Sequence, residues 1–345
     1  MKKIFITSIA LIFSIAFTSN LNAQLFGTTS KVGTTAAPFL KIGAGARAIG
    51  MGGAYTSIPD DIYSIYWNPA GIATSRSNGQ ATFNHADWIA EMDYDFAAGA
   101  LNLGEMGTIF ASFTSFRIPE DKVRTVEDPD GDGRTWDAGS VAIAVGYAKM
   151  LTDRFSIGFT AKFVQERIWN STASGFAFDV GTLYRTPFND LMIGAAISNF
   201  GSSMSLDGRD IQFNSDPNNN IDSGPNNIKS LYDTDDFDMP LSFRIGLSMN
   251  VLETRFLRAT ASVDAAHPND NVEYVNSGIE LAYDELLFFR AGYRSLFNDR
   301  AEDGLTLGGG IKYEFAPNLK VVFNYAYADF GLLDNVQFFD FGLIF

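Results

Sequence analysis

Two histidines, no cysteine and forty carboxylates limit the chemistry open to this chain. His85 and His267 are the candidates for an imidazole base. His85 and Asp87 stand two residues apart, which on an extended chain puts both on one face, the arrangement a general-base dyad needs. That spacing is common in strands, and neither a nucleophile pattern nor a second paired carboxylate accompanies it, so no enzymatic activity is expected. In "EDPDGDGRTWDAG", Asp128, Asp130, Asp132 and Gly133 fall at the first, third, fifth and sixth places of a calcium loop. Gly139 stands at the twelfth place, where a bidentate Glu is required, and Asp137 comes two places early. A solvated acidic turn is therefore the preferred reading. Calcium held by Asp128, Asp130, Asp132 and Asp137 is the alternative, and no other cofactor is expected. Gly43, Gly45 and Ala48 imitate a dinucleotide fingerprint, but no strand and helix unit surrounds them, so the small residues are read as packing residues.

These residues need a scaffold, and composition narrows it. "MKKIFITSIALIFSIAFTSNLNAQ" carries two lysines, an apolar run and a small-residue end, which reads as a cleaved signal peptide over residues 1–23. After residue 24 no apolar run approaches the length of a spanning helix. The formal charge of −15 argues against nucleic acid, whose binding is driven by clustered positive charge.

From residue 79 onward, segments of ten to fourteen residues alternate apolar and polar. In "PLSFRIGLSMNV" one face carries Leu241, Phe243, Ile245, Leu247, Met249 and Val251, the other Ser242, Arg244, Gly246, Ser248 and Asn250. The segments "GLTLGGGIKYEFA" and "NLKVVFNYAYADF" split in the same way. The tail "VQFFDFGLIF" sets Phe339, Phe341, Leu343 and Phe345 against Phe338, Asp340, Gly342 and Ile344. Rings concentrate near segment ends, as membrane-interface girdles require. The fold expected is an all-β transmembrane barrel of about fourteen antiparallel strands over residues 79–345, with Phe339 to Phe345 as its C-terminal assembly strand. Six short turns alternate with seven longer connections, among them 119–137, 169–174 and 202–239. The expected lumen residues Lys162, Asp179, Arg244, Arg258, Asp264, Glu280, Arg290, Arg294, Lys312 and Glu314 mix both signs, a set suited to pairing with one another and with a plug. Residues 24–78, rich in Gly, Ala and Ser and without alternation, are expected to form that hatch or plug.

Within that segment, "FLKIGAGARAIGMGGAYTSIPDDIYSIYWNPAG" resembles the N-terminal signature of the PorV/PorQ family of outer-membrane proteins, itself similar to the FadL group of fourteen-stranded barrels. The likeness is carried by Gly45, Arg47, Gly50, Gly52 and their neighbours to Gly53, by Asp60 and Asp61, and above all by Asn68, Pro69 and Ala70. It implies that the Asn-Pro-Ala triplet belongs to a hatch inside the barrel. It also implies a place in the bacterial outer membrane, in contact with its lipid. Two roles follow from the likeness: handling secreted cargo with the protein partners of type IX secretion, or admitting a hydrophobic ligand as FadL relatives do. External loops, chiefly 202–239 and 119–137, are the expected client-binding surfaces.

Overall fold

The computed structural model describes residues 31–216, 228–298 and 301–345. The expected signal peptide lies outside the described residues. Fourteen long strands account for most of the described residues: β1 (Gly79–Trp88), β2 (Met92–Asn102), β3 (Thr108–Lys122), β4 (Thr135–Thr152), β5 (Phe155–Ile168), β6 (Ser171–Arg185), β7 (Met192–Gly201), β8 (Ser242–Glu253), β9 (Leu257–Pro268), β10 (Tyr274–Tyr283), β11 (Leu287–Leu296), β12 (Leu305–Ala316), β13 (Leu319–Asp329) and β14 (Asn335–Ile344). Each pairs antiparallel with its sequence neighbours, and β14 returns to β1 through a register running from Gln80↔Ile344 to Asp87↔Gln337. Closure leaves the wall without a free edge, which is what a strand-built wall needs in a medium without hydrogen-bonding solvent. No helix among the described residues is long and apolar enough to cross a membrane.

The strands show why alternation was informative. Phe243, Ile245 and Leu247 lie exposed on the outer wall, while Ser242, Arg244 and Ser248 are buried within. On β14, Phe339 and Phe341 face out, as does Phe345 just beyond it, whereas Phe338 and Asp340 are buried inside. Both chain ends of the wall meet at the short-turn edge, where the Phe345 amide donates to the Gly79 carbonyl at 3.0 Å and the Gly79 amide to the Phe345 carbonyl at 2.8 Å.

Two long connections are shorter than the sequence suggested. The 119–137 connection shrinks because β3 and β4 continue as a paired ribbon through Asp121↔Trp136 and Lys122↔Thr135. The 169–174 connection keeps two residues, since Ser171 already pairs with Ile168. Polar composition marks where strands leave the hydrocarbon, not where pairing ends. The 202–241 connection carries a small ribbon, Gln212–Ser215 with Ile228–Leu231. Its stems are joined by a Met204↔Phe237 bridge, and Met204 and Met239 are buried.

Most of residues 37–75 are buried and pack against inward-facing positions of the wall. They form short helical pieces, including α1 (Ala46–Gly50) and α2 (Ser64–Trp67), with Ala44, Ala46, Ala48, Ile49, Met51 and Tyr55 fully buried. Small residues permit this fit. A Cβ on Gly50 would stand 3.1 Å from the Gly308 Cα, and one on Gly292 would stand 2.2 Å from the Gly52 nitrogen.

Candidate functional site

The Asn-Pro-Ala triplet is the most constrained part of the lumenal segment. Pro69 keeps Asn68 extended, with φ −159°, so α2 stops there and the amide side chain is released sideways. Asn68 Nδ2 donates to the carbonyls of Thr56 at 2.7 Å and Thr182 at 2.9 Å, and its Oδ1 accepts from the Ala70 amide at 3.1 Å. Ser156 on β5 donates to the Ala70 carbonyl at 2.9 Å. The wall gives way to let the triplet in: a Cβ on Gly181 would lie 1.9 Å from Asn68 Oδ1, and one on Gly158 would lie 2.4 Å from the Pro69 carbonyl carbon.

Charges fix the opposite side. Arg47 binds Glu280 with two nitrogens, both at 2.8 Å, and reaches Asp61 at 2.7 Å. Glu280 is fully buried and also meets Arg290 at 2.7 Å and Arg258 at 3.2 Å. From Arg290 the chain of bonds continues through Asn324 and Asp340, each link 2.7 to 2.8 Å, and ends where Asp340 accepts from the Ala46 amide at 2.9 Å. The route leaves the lumenal segment at Arg47, crosses β10, β11, β13 and β14, and returns to the segment one residue before Arg47. Burial alone would lower the Arg47 pKa, but attraction to Glu280, Tyr55 and Asp61 outweighs it and holds the guanidinium charged. Burial pushes the Tyr66 hydroxyl up to about 12, so it remains a donor, to the Leu40 carbonyl at 2.7 Å.

Gly45 and Gly52 have φ of 91° and 68°, and a Cβ on Gly45 would sit 2.4 Å from the Tyr63 ring. Asp61 caps the Tyr63 amide at 2.8 Å, and Asp60 turns at φ 56° toward the short-turn mouth, its amide bonded to Thr74. In the acidic turn, Asp132 accepts from the backbone and Nε of Arg134, at 2.9 and 2.7 Å, which holds its carboxyl below the usual range. Asp137 pairs with Arg167. Thus two of the four carboxylates of the calcium pattern already face arginines, and Asp128 is engaged through its backbone in a turn with Thr125 and Gly131. His85 does share the outer face with Asp87, at 3.3 Å, but its other ring nitrogen meets Asp95 at 2.8 Å. Both nitrogens therefore face carboxylates.

Alternation places Glu280, Asp264 and Arg290 on the lumenal face but says nothing of their partners. Asp264 accepts from the backbone amides of Tyr55 and Thr56, at 2.9 and 2.8 Å. The signal was present as lone carboxylates at inward positions of otherwise small-residue faces. Such a group must find donors, and the nearest unsatisfied ones belong to an irregular segment.

The sequence model of the family described as type IX secretion system protein PorV matches residues 27–251, more than half of the chain and including the whole lumenal segment. The chain belongs to the PorV family. It is an outer-membrane β-barrel. No curated protein matches its sequence. Among solved structures it resembles the CymD monoaromatic hydrocarbon channel, at 12% identity and TM-score 0.55, over 88% of this chain and 97% of that one. It also resembles the Ralstonia pickettii toluene transporter TbuX, at 13% identity and TM-score 0.53, over 88% and 97% of the two chains. The Pseudomonas putida toluene transporter TodX aligns at 12% identity and TM-score 0.51, over 88% and 96%. These likenesses establish that this PorV-family member shares the fold of those channels.

Proposed function

We propose that this PorV-family barrel serves type IX secretion by holding secreted protein clients on its long-loop face, while the lumenal segment keeps the barrel stoppered. The supporting observation is the locked interior. A segment tied to the wall by the Arg47–Glu280 pair and by Asn68 leaves little lumen for transit, so the accessible working surface is the outer mouth. The wall is paired around its whole circumference, and β5 and β6, beside Asn68, keep unbroken register from Phe155↔Tyr184 to Ile168↔Ser171. On the other side of β6, its pairing with β7 shifts register between Phe178 and Val180 but resumes on both sides of the shift.

The experiment is purification of the tagged protein from its own membrane with identification of what stays bound. A second arm uses a variant in which residues 205–236 are replaced by a short linker across the Met204↔Phe237 bridge. Loss of bound clients with an intact barrel supports the reading; undiminished clients in the variant would refute the loop assignment.

A second reading, passage of hydrophobic compounds, draws support from one feature. A pocket of about 300 Å³ at the outer mouth is lined by Phe39, Phe116, Ile118, Ile168 and Leu206. Uptake of a labelled aromatic hydrocarbon into vesicles carrying the protein, above that of empty vesicles, would favour it.

A further inference from the structure

On the outer surface of the wall, toward its long-loop end, β1 and β2 bring together side chains that neither the lumenal lock nor the client surface uses. His85 and Asp87 share the outward face of β1, and the register sets His85 opposite Asp95 and Asp87 opposite Asp93 on β2. Among the described residues, His85, Asp87 and Asp93 are the one group of three metal-type side chains whose donor atoms gather within 4.8 Å of one another. The row of His85 continues to Phe339 on β14, and the row of Asp87 to Gln337. The group therefore stands where the apolar outer stripe gives way to polar residues.

Like charges directly opposite each other on a ladder repel, and Asp87 with Asp93 is such a pair. The nearby cation, Arg117 on β3, answers only part of this. Its Nη2 lies 3.0 Å from Asp95 Oδ2 and 3.5 Å from Asp93 Oδ2. Among the described residues no lysine or arginine pairs with Asp87, whose ion-pair partner is the His85 ring.

The two nitrogens of that ring are held differently. Nδ1 meets Asp95 Oδ1 at 2.8 Å, a full hydrogen bond, whereas Nε2 is 3.3 Å from Asp87 Oδ1, longer than such bonds usually are. Asp95 also gives its second oxygen to Arg117, so it orients the imidazole. A carboxylate on Nδ1 keeps the ring N–H there and leaves the Nε2 lone pair available, the arrangement that metal-binding histidines use. Asp87 and Asp93 have side chains 75% and 45% exposed, free to turn until the donors close to metal–ligand bonds of about 2.0 to 2.2 Å.

The donor types also say which cation. Calcium and magnesium take oxygen ligands and gain nothing from an imidazole. One nitrogen and two carboxylate oxygens suit zinc, which accepts three protein ligands when its fourth position is open. The geometry points to a zinc-type divalent cation site on the outer surface of the wall, with His85 Nε2, Asp87 and Asp93 as ligands and Asp95 as the positioning residue on His85 Nδ1. The cation offsets the repulsion between Asp87 and Asp93 and ties β1 to β2. A proton on Nε2, shared with Asp87, is the competing occupant of the same place. The site depends neither on client binding nor on the lumenal segment.

The test uses the full barrel with a tag that lacks histidine, in non-ionic detergent after chelator treatment. Titration calorimetry with Zn²⁺ should show a single saturable equivalent per barrel, and Co²⁺ should give a visible absorption band that Zn²⁺ abolishes. His85→Gln should remove both, whereas His267→Gln, at the other imidazole, should leave both unchanged. Asp95→Asn should weaken Zn²⁺ binding about 10- to 100-fold, the usual effect of losing an outer partner, while the cobalt band at saturation stays as it was. Asp87→Asn and Asp93→Asn should alter the band itself, because they change the ligands. Heat-modifiable migration on gels confirms that each variant is a folded barrel. An absence of saturable Zn²⁺ binding would leave the proton as occupant and overturn the proposal. So would binding that survives His85→Gln or disappears in His267→Gln. Displacement of Zn²⁺ by an equal concentration of Ca²⁺ would mark a hard-cation site and overturn the zinc assignment.

Discussion

At the scale of single residues, the burial of Glu280 among three arginines makes it the charge whose loss matters most. Glu280→Gln leaves Arg47, Arg258 and Arg290 facing one another in a site where Glu280 is fully buried. Removing one member of a buried pair costs about 3 to 5 kcal/mol. Arg47→Gln should cost less, because Glu280 keeps two arginines. Limited proteolysis of the lumenal segment should therefore be fastest in Glu280→Gln, intermediate in Arg47→Gln and slowest in the parent; equal rates would remove the lock. A second residue-level case is Gly181→Ala, whose Cβ would collide with Asn68 Oδ1. Overpacking of this kind costs about 1 to 3 kcal/mol, and Asn68→Ala in the same background should relieve part of it, since the collision partner is gone. A double-mutant cycle on segment release reads the coupling directly. Asn68, Pro69 and Ala70 were legible in the sequence because a proline after an amide dictates local conformation. The Arg47–Glu280 pair, 233 positions apart, was not, because nothing local encodes it.

At the scale of elements, period-two alternation settled which side chains of a strand face out, and β8, β13 and β14 follow it. The strand ends were harder. Pairing in β3 and β4 continues beyond the apolar stretch, and polar residues satisfy a ribbon in water as well as a loop does. The outer stripe predicts a depth-dependent cost. Phe341 sits opposite Phe83 and Phe323 in the middle of the wall, so Phe341→Arg should lower stability by about 2 to 4 kcal/mol. Gln337→Arg, two rows nearer the outer edge on the same face, should be close to neutral. Urea unfolding in lipid vesicles measures both, and similar costs at the two positions would mean that this face does not contact hydrocarbon.

At the scale of the whole molecule, a closed wall stoppered as proposed predicts a silent barrel. Reconstituted into planar bilayers, the intact protein should carry no open-channel current above background. The wall has its own closed ladder of strand pairs, β1 to β14 and back, which does not run through residues 37–77. Excision of that segment, with residue 36 joined to 78, should therefore leave a folded barrel that conducts. What it exposes decides the character of the current. Glu280, Asp264 and Asp340 would then face water together with Arg258, Arg290 and Arg244, and neither sign dominates that ring. Selectivity between cations and anions should accordingly be weak, because a strongly selective pore needs one sign at its constriction. A conducting parent protein would mean that the lumenal segment does not seal the barrel. A silent but folded excision variant would mean that the wall collapses inward, and that small side chains such as Gly308 and Gly292 allow opposite strands to meet once the segment is gone.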